Sequence, residues 1–147
     1  MEKTRPTAVD VVVIHNDKIL FVKREKPPFK NEWVLPGGFV EINEDVKQAA
    51  VRETKEETGI DIELIGIIGV YSKPERDERH TISIGFIAFP KGDISTTAQK
   101  GEVKEAKWFD LSKIPKLGFD HDEIVKDAIE IYNSMQCHSC EHCSGCD

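Results

Sequence analysis

With 147 residues, 39% of them hydrophobic and 32% charged, the chain is large enough to bury one ordinary core and too apolar to stay disordered. Its 27 acidic against 20 basic side chains leave a net charge of −7, which argues against a nucleic-acid polymer as partner, since a phosphate backbone calls for a basic face. No apolar run approaches the roughly 18 residues of a membrane span, and Met1-Glu2-Lys3-Thr4-Arg5-Pro6 lacks a signal peptide's apolar stretch, so a cytoplasmic protein without membrane contact is expected.

Residues 7–14 and 19–23 are β-branched and apolar, and His15-Asn16-Asp17-Lys18 between them has turn chemistry, which predicts a hairpin. Lys26-Pro27-Pro28-Phe29-Lys30 breaks the chain before Trp33-Val34-Leu35. Pro36-Gly37-Gly38 then turns it where the backbone can approach another group closely. Residues 45–58 are helix formers without Pro or Gly, with Glu44 or Asn43 available as cap and Gly59 in the C-terminal cap position. Residues 60–71 and 81–89 predict strands joined by a charged stretch, and 102–109 a further strand. Residues 122–135 predict an amphipathic helix with Ile124, Val125, Ala128, Ile129 and Tyr132 on one face. The pattern is a mixed α/β domain.

On the wheel of the first helix, Val46, Ala49 and Ala50 fall within about 60° of the direction of Glu53. Glu57 and Glu56 flank that direction at about 40° and about 60°. A helix packed by its small apolar face therefore aims three carboxylates along the edge of the core. Glu53 and Glu57 are a like-charge i,i+4 pair crowded at the C-terminal end, where the helix dipole disfavours negative charge. Arg52 reaches Glu56 at i,i+4 but cannot neutralise all three. The face is either plainly solvated or gathered by a hard divalent cation, which takes carboxylate oxygens.

The spacing of Gly38, Glu44, Arg52, Glu53, Glu56, Glu57, Gly59 and Ile60 resembles the Nudix box, G-x5-E-x7-R-E-U-x-E-E-x-G-U with U bulky and apolar. Thr54 departs from the pattern at the first U position. The resemblance covers about residues 7 to 134, with Trp33-Val34-Leu35-Pro36-Gly37-Gly38, Glu105-Ala106-Lys107-Trp108-Phe109 and Phe119-Asp120-His121 similar to other family segments. It implies an α/β/α sandwich in which a mixed sheet carries a loop–helix–loop motif, with a hydrolase domain over residues 1–136.

As the resemblance implies them, the metal ligands are Glu53, Glu56, Glu57 and the backbone of Gly38 or Gly37, binding Mg²⁺ or Mn²⁺. Arg52 orients a box glutamate, and Glu44 holds the loop or caps the helix. The reaction is attack of water on a pyrophosphate. Glu53 and Glu102 are candidates for the base, ahead of Glu75, Glu78 and Glu105. Pro74, fifteen residues after Gly59, and His80-Thr81-Ile82-Ser83 are similar to the ADP-ribose pyrophosphatase subgroup, whose products are AMP and ribose 5-phosphate. Hydrolysis of nucleoside triphosphates, oxidised ones included, or of dinucleoside polyphosphates is the alternative. A non-catalytic sensor of ADP-ribose-type ligands is more distant, because the box carboxylates are intact. Trp33 and Phe29 offer faces on which a base can stack, although Trp33 fits a core equally well. Arg76 and Arg79 are either phosphate clamps or a solvated charge run. Family members commonly pair as homodimers.

Residues 137–147 form a separate tail in which Cys137, Cys140, Cys143 and Cys146 alternate with His138 and His142. Thiolates and imidazoles suit zinc or an iron–sulfur centre, yet the spacing lacks the long loop between zinc knuckles and the terminal Cys-Pro of ferredoxin-type runs. A flexible reduced tail is the other expectation.

Overall fold

Asn16 and Asp17 both take positive φ, 49° and 59°, the handedness a two-residue turn needs to join twisted antiparallel strands. Around this turn pair β1 (Thr7–His15) and β2 (Lys18–Arg24), with Ile14 opposite Ile19. The computed structural model describes residues 3–98 and 101–138. Beyond the hairpin follow β3 (Trp33–Val34), β4 (Gly37–Phe39), α1 (Val46–Thr58) and β5 (Ile62–Tyr71). A 3₁₀ turn (Pro74–Arg76), β6 (Ile82–Pro90), β7 (Val103–Asp110) and α2 (His121–His138) complete the order. Most predicted elements end within a residue or two of these bounds. The tail positions Cys140, Cys143, Cys146 and His142 lie outside the described residues, and α2 ends at His138.

The mixed sheet is built on β1. Its length pairs in parallel with β6, from Thr7 opposite Ile82 to Val13 opposite Ala88. Its first residues pair antiparallel with β4 and its last with β2. β5 extends the sheet beyond β6, and β2 pairs with β7 along one edge and, along the other, with the end of β1 and then with β3.

Alternation along β1 divides the core into two layers. Val9, Val11 and Val13 face α1, where they join Ala49, Ala50, Ile60 and Phe86. Val12 and Ile14 face α2, where they join Ile124, Val125, Ala128 and Phe21. Ile124 is fully buried, so its truncation to alanine is worth about 2–5 kcal/mol. The chain is thus the helix–sheet–helix sandwich anticipated from sequence.

The cap of α1 corrects one expectation. Asp45, rather than Glu44 or Asn43, is the N-cap. Its Oδ1 accepts the Gln48 N–H at 2.7 Å while Gln48 Oε1 accepts the Asp45 N–H at 2.9 Å. Glu44 is longer and turns the other way, to the Glu41 N–H and Arg52. Gly59 caps the far end at φ 78°, where its N–H donates to the Lys55 carbonyl; a Cβ there would lie 2.5 Å from Thr97 Oγ1.

Candidate active site

Ala49 and Ala50 are small enough to bring α1 close to the sheet, and both are fully buried. One turn on, Thr54 and Thr58 are buried too. Each hydroxyl donates back along the helix, to the Ala50 carbonyl at 2.8 Å and the Thr54 carbonyl at 2.6 Å. Thr54, the departure from the box pattern, is therefore accommodated without an unpaired polar atom.

This seating drives Glu53 and Glu57 against the Gly37–Phe39 strand. Gly37 N–H donates to Glu57 Oε1 at 2.9 Å. A Cβ on Gly38 would lie 2.6 Å from the Glu53 carboxyl carbon, so any larger residue there would push that carboxyl out of its present position.

Arg52 links the rest of the motif. It grips Glu44 through two bonds, Nη2 to Oε1 at 2.6 Å and Nε to Oε2 at 2.9 Å. Its Nη1 donates to Glu53 Oε1 at 2.8 Å and to Glu56 Oε2 at 3.2 Å. Glu44 thus holds the loop, and Arg52 orients both Glu53 and Glu56. These bonds hold Glu44 down to about 2 and push Arg52 above its ordinary value, Glu44 being the main cause. Burial outweighs Arg52 at Glu53 and raises it. Burial pushes Glu57 up to about 8, against the Gly37 N–H and with help from the Glu53 charge.

Among the described residues, no group of three His, Cys, Asp or Glu is arranged ready to hold a metal ion; the Arg52 guanidinium bridges Glu53 and Glu56. The donors nonetheless fit a hard divalent cation. They are carboxylate oxygens, two of them are raised by burial, and a glycine floor leaves room for close approach.

A cleft of about 400 Å³ brings together Glu53, Glu56, Glu57, Arg52, Gly38 and Glu102, with Arg76 and Arg79 in its wall. The two arginines differ. Arg76 is buried and spends its guanidinium on Asp120, at 2.7 and 2.9 Å, and on the Thr81 carbonyl. Arg79 is more exposed and holds, among the described residues, a single carboxylate contact, Nη2 to Asp77 Oδ2 at 3.3 Å, while its guanidinium lies 5.0 Å from the Phe39 ring centroid and 5.7 Å from that of Phe119. Glu75, Glu78 and Glu105 are exposed outside this lining.

Trp33 and Phe29 are not brought to the cleft. Trp33 packs edge-on against Phe109, with centroids 4.8 Å apart, because β3 pairs with β2 and turns its indole toward the α2 layer. Phe29 sits in the preceding loop against Phe119, 4.5 Å away.

Sequence reasoning missed Arg24, Phe39, Phe119, Asp10 and His121, all in the lining. Arg24 stacks on Phe119 at 5.3 Å, and burial and repulsion from Arg79 both lower its basicity. Asp10 did leave a signal, as a charge inside the apolar run of residues 7–14. Phe119 and His121 lie in a family-like segment that carried no assigned role, and Arg24 and Phe39 left no signal.

The NUDIX domain model matches residues 4–128. The chain is 49% identical over 121 residues to an ADP-ribose pyrophosphatase of Methanocaldococcus jannaschii, an alignment covering 82% of this chain and 70% of that one. Among solved structures, a bifunctional NMN adenylyltransferase/ADP ribose pyrophosphatase of Francisella tularensis, complexed with AMP and a manganese ion, superposes with a TM-score of 0.80 at 31% identity. That match covers 88% of this chain and 42% of that one, so this chain spans less than half of it. The NUDIX domain of Shewanella oneidensis NrtR complexed with ADP ribose gives 0.77 at 28% identity, over 89% and 90% of the two chains. With the box residues gathered on one helix and its flanking loops, and a family match over most of its length, the chain belongs to the Nudix family.

Proposed function

We propose that this Nudix hydrolase splits the pyrophosphate of ADP-ribose into AMP and ribose 5-phosphate, with Mg²⁺ or Mn²⁺ held by Glu53, Glu56, Glu57 and the main-chain oxygen of Gly38. One observation carries the reading beyond the family match. The box carboxylates share a cleft with two guanidiniums, Arg24 and Arg79, both stacked on Phe119. Carboxylates that take metal on one side and cations on the other suit a diphosphate, and Phe39 and Phe119 offer apolar faces to its ends. Pro74 fits the same picture. It opens the 3₁₀ turn from which the chain continues to Arg79, and the His80 ring bonds back to its carbonyl.

Bound divalent ions would screen the phosphate oxygens and offset the charge that develops as the bridging bond breaks. The protein's part is positional. Arg52 holds Glu53 and Glu56 toward the cleft, and Gly37 holds Glu57. Arg79 and Arg24 draw the diphosphate against the box helix. Glu102, in the lining and outside the Arg52 network, accepts the proton of the attacking water. The water oxygen bonds to one phosphorus, and the bridging oxygen leaves with the other phosphate.

The test is product analysis by chromatography on equal concentrations of ADP-ribose, dGTP, 8-oxo-dGTP and a dinucleoside polyphosphate with Mg²⁺. Release of AMP and ribose 5-phosphate at the highest kcat/KM of the panel is expected. Equal rates on dGTP and ADP-ribose would refute the substrate assignment, and a stable ADP-ribose complex without products would make the protein a sensor.

A further inference from the structure

In the floor of the cleft lies a buried polar group for which the reaction above has no use. Asp10 interrupts the apolar run of β1 and is 8% exposed; His121, the first residue of α2, is 4% exposed. Asp10 Oδ2 accepts from the Ser83 hydroxyl on β6, and Arg76 Nη2 stands 3.9 Å from it. Oδ1 lies 3.3 Å from His121 Nε2. Burial by itself would raise Asp10; His121, Ser83 and Arg76 together hold it below its ordinary value. The other ring nitrogen, Nδ1, accepts the Leu35 N–H at 3.0 Å. An imidazole that accepts at Nδ1 carries its proton on Nε2, which here faces Asp10. The carboxylate therefore selects the tautomer, and the tautomer supplies the acceptor. With both ring nitrogens engaged, His121 has no free position from which to act as a base.

Leu35 opens a segment in which three main-chain groups are committed. Its N–H ends on His121, the Pro36 carbonyl accepts the Val11 N–H at 2.9 Å, and the Gly37 N–H donates to Glu57 Oε1 at 2.9 Å. Gly37 has no room to drift toward β1: a Cβ there would lie 2.1 Å from the Val9 carbonyl oxygen and 2.9 Å from Asp10 Oδ1. A shift of Leu35 would thus pass through two residues to the amide that orients Glu57.

We infer that His121 is a positioning residue: held as an acceptor by Asp10, its Nδ1 fixes residues 35–37 and, through the Gly37 amide, the carboxylate of Glu57. The inference rests on Glu57 as a metal ligand. Loss of a group bonded directly to a metal ligand typically costs about 10–100-fold in affinity or activity; His121 acts from behind such a group, the Gly37 amide, so the lower end of that range is expected.

Two amide substitutions separate the two ring nitrogens. His121→Asn places an oxygen near the position of Nδ1, keeping the acceptor for Leu35 and abandoning Asp10. His121→Gln reaches the position of Nε2, keeping the donor to Asp10 and leaving the Leu35 N–H unpaired. The readouts, on the full chain, are Mn²⁺ affinity by electron paramagnetic resonance without substrate, kcat and KM for ADP-ribose, thermal midpoint, and the wild-type ring tautomer by long-range ¹⁵N correlation. The Gln variant is expected to bind Mn²⁺ about tenfold or more weakly and to lose kcat by a similar factor, with KM changed less than about threefold. The Asn variant should stay within about threefold of wild type in Mn²⁺ affinity, whatever its thermal midpoint. Equal loss in both variants, loss in neither, or a proton found on Nδ1 would overturn the inference. Wild-type protein that binds Mn²⁺ but leaves ADP-ribose intact would overturn only the substrate assignment, since the metal titrations need no substrate. Wild-type protein that binds no Mn²⁺ overturns both.

Discussion

Replacing Glu57 by glutamine should make the metal-free protein more stable at pH 8 while abolishing its turnover. Burial raises this carboxyl from 4.5 to about 8. A carboxyl raised on folding contributes its full stability below 4.5 and loses it as pH climbs through about 8, because ionisation in the unfolded chain comes first. Across that window the folded state loses about 1.36 kcal/mol per pH unit, a cost on the order of 4 kcal/mol by pH 8. Glutamine has the same shape, carries no charge, and keeps an oxygen for the Gly37 N–H now bonded at 2.9 Å. Urea unfolding in EDTA at pH 5, 6, 7 and 8 measures the effect. The two proteins should differ little at pH 5, and the variant should lead by a few kcal/mol at pH 8. Saturating Mg²⁺ should narrow or reverse the order, because binding to the folded state stabilises only the protein that keeps the ligand. A variant no more stable than wild type at pH 8, or one retaining over half the turnover, would refute the reasoning.

Gly38→Ala should lower kcat about 10²-fold, since the new Cβ forces the Glu53 carboxyl back from 2.6 Å toward ordinary contact, close to the misplacement of about 1 Å that carries such a cost. Its thermal midpoint should move only slightly, because Gly38 is not among the positive-φ glycines; a variant with unchanged kcat contradicts the close-approach argument. Glu102→Gln should reduce kcat by about 10²–10⁴-fold, whereas wild-type turnover would move the base role to Glu53. Arg79→Ala should raise KM for ADP-ribose about tenfold with kcat changed less than about threefold, roughly the loss of one cation–diphosphate contact; an effect on kcat alone would place Arg79 in the chemical step instead.

Much of the catalytic helix could be read from residue order, because its determinants are local. The 3.6-residue period decides that Glu53, Glu56 and Glu57 share a sector with Ala49 and Ala50, and Gly59 ends the helix wherever the helix packs. The choice of N-cap was less legible. Asn43, Glu44 and Asp45 all offer oxygens, and the Asp45–Gln48 exchange prevailed because Glu44 had a better partner in Arg52. The aromatic positions, of which Trp33 was left open between the cleft and the core, were hard to read for a different reason. Trp33 and Phe29 precede the glycine turn and look available, but pairing of β3 with β2 turns Trp33 inward and the loop lays Phe29 on Phe119.

Chain order alone determined the box, the two amphipathic helices and the strands between them, since each rests on spacing that survives in any arrangement of the elements. Only the tertiary structure decided that Arg76 is consumed by Asp120, 44 residues away, while Arg79 faces the cleft. It alone joined Asp10, Ser83 and His121 from two neighbouring strands and the start of the last helix. Contacts of that kind depend on strand order and helix placement, which are set by how the whole core packs rather than by any short stretch of sequence.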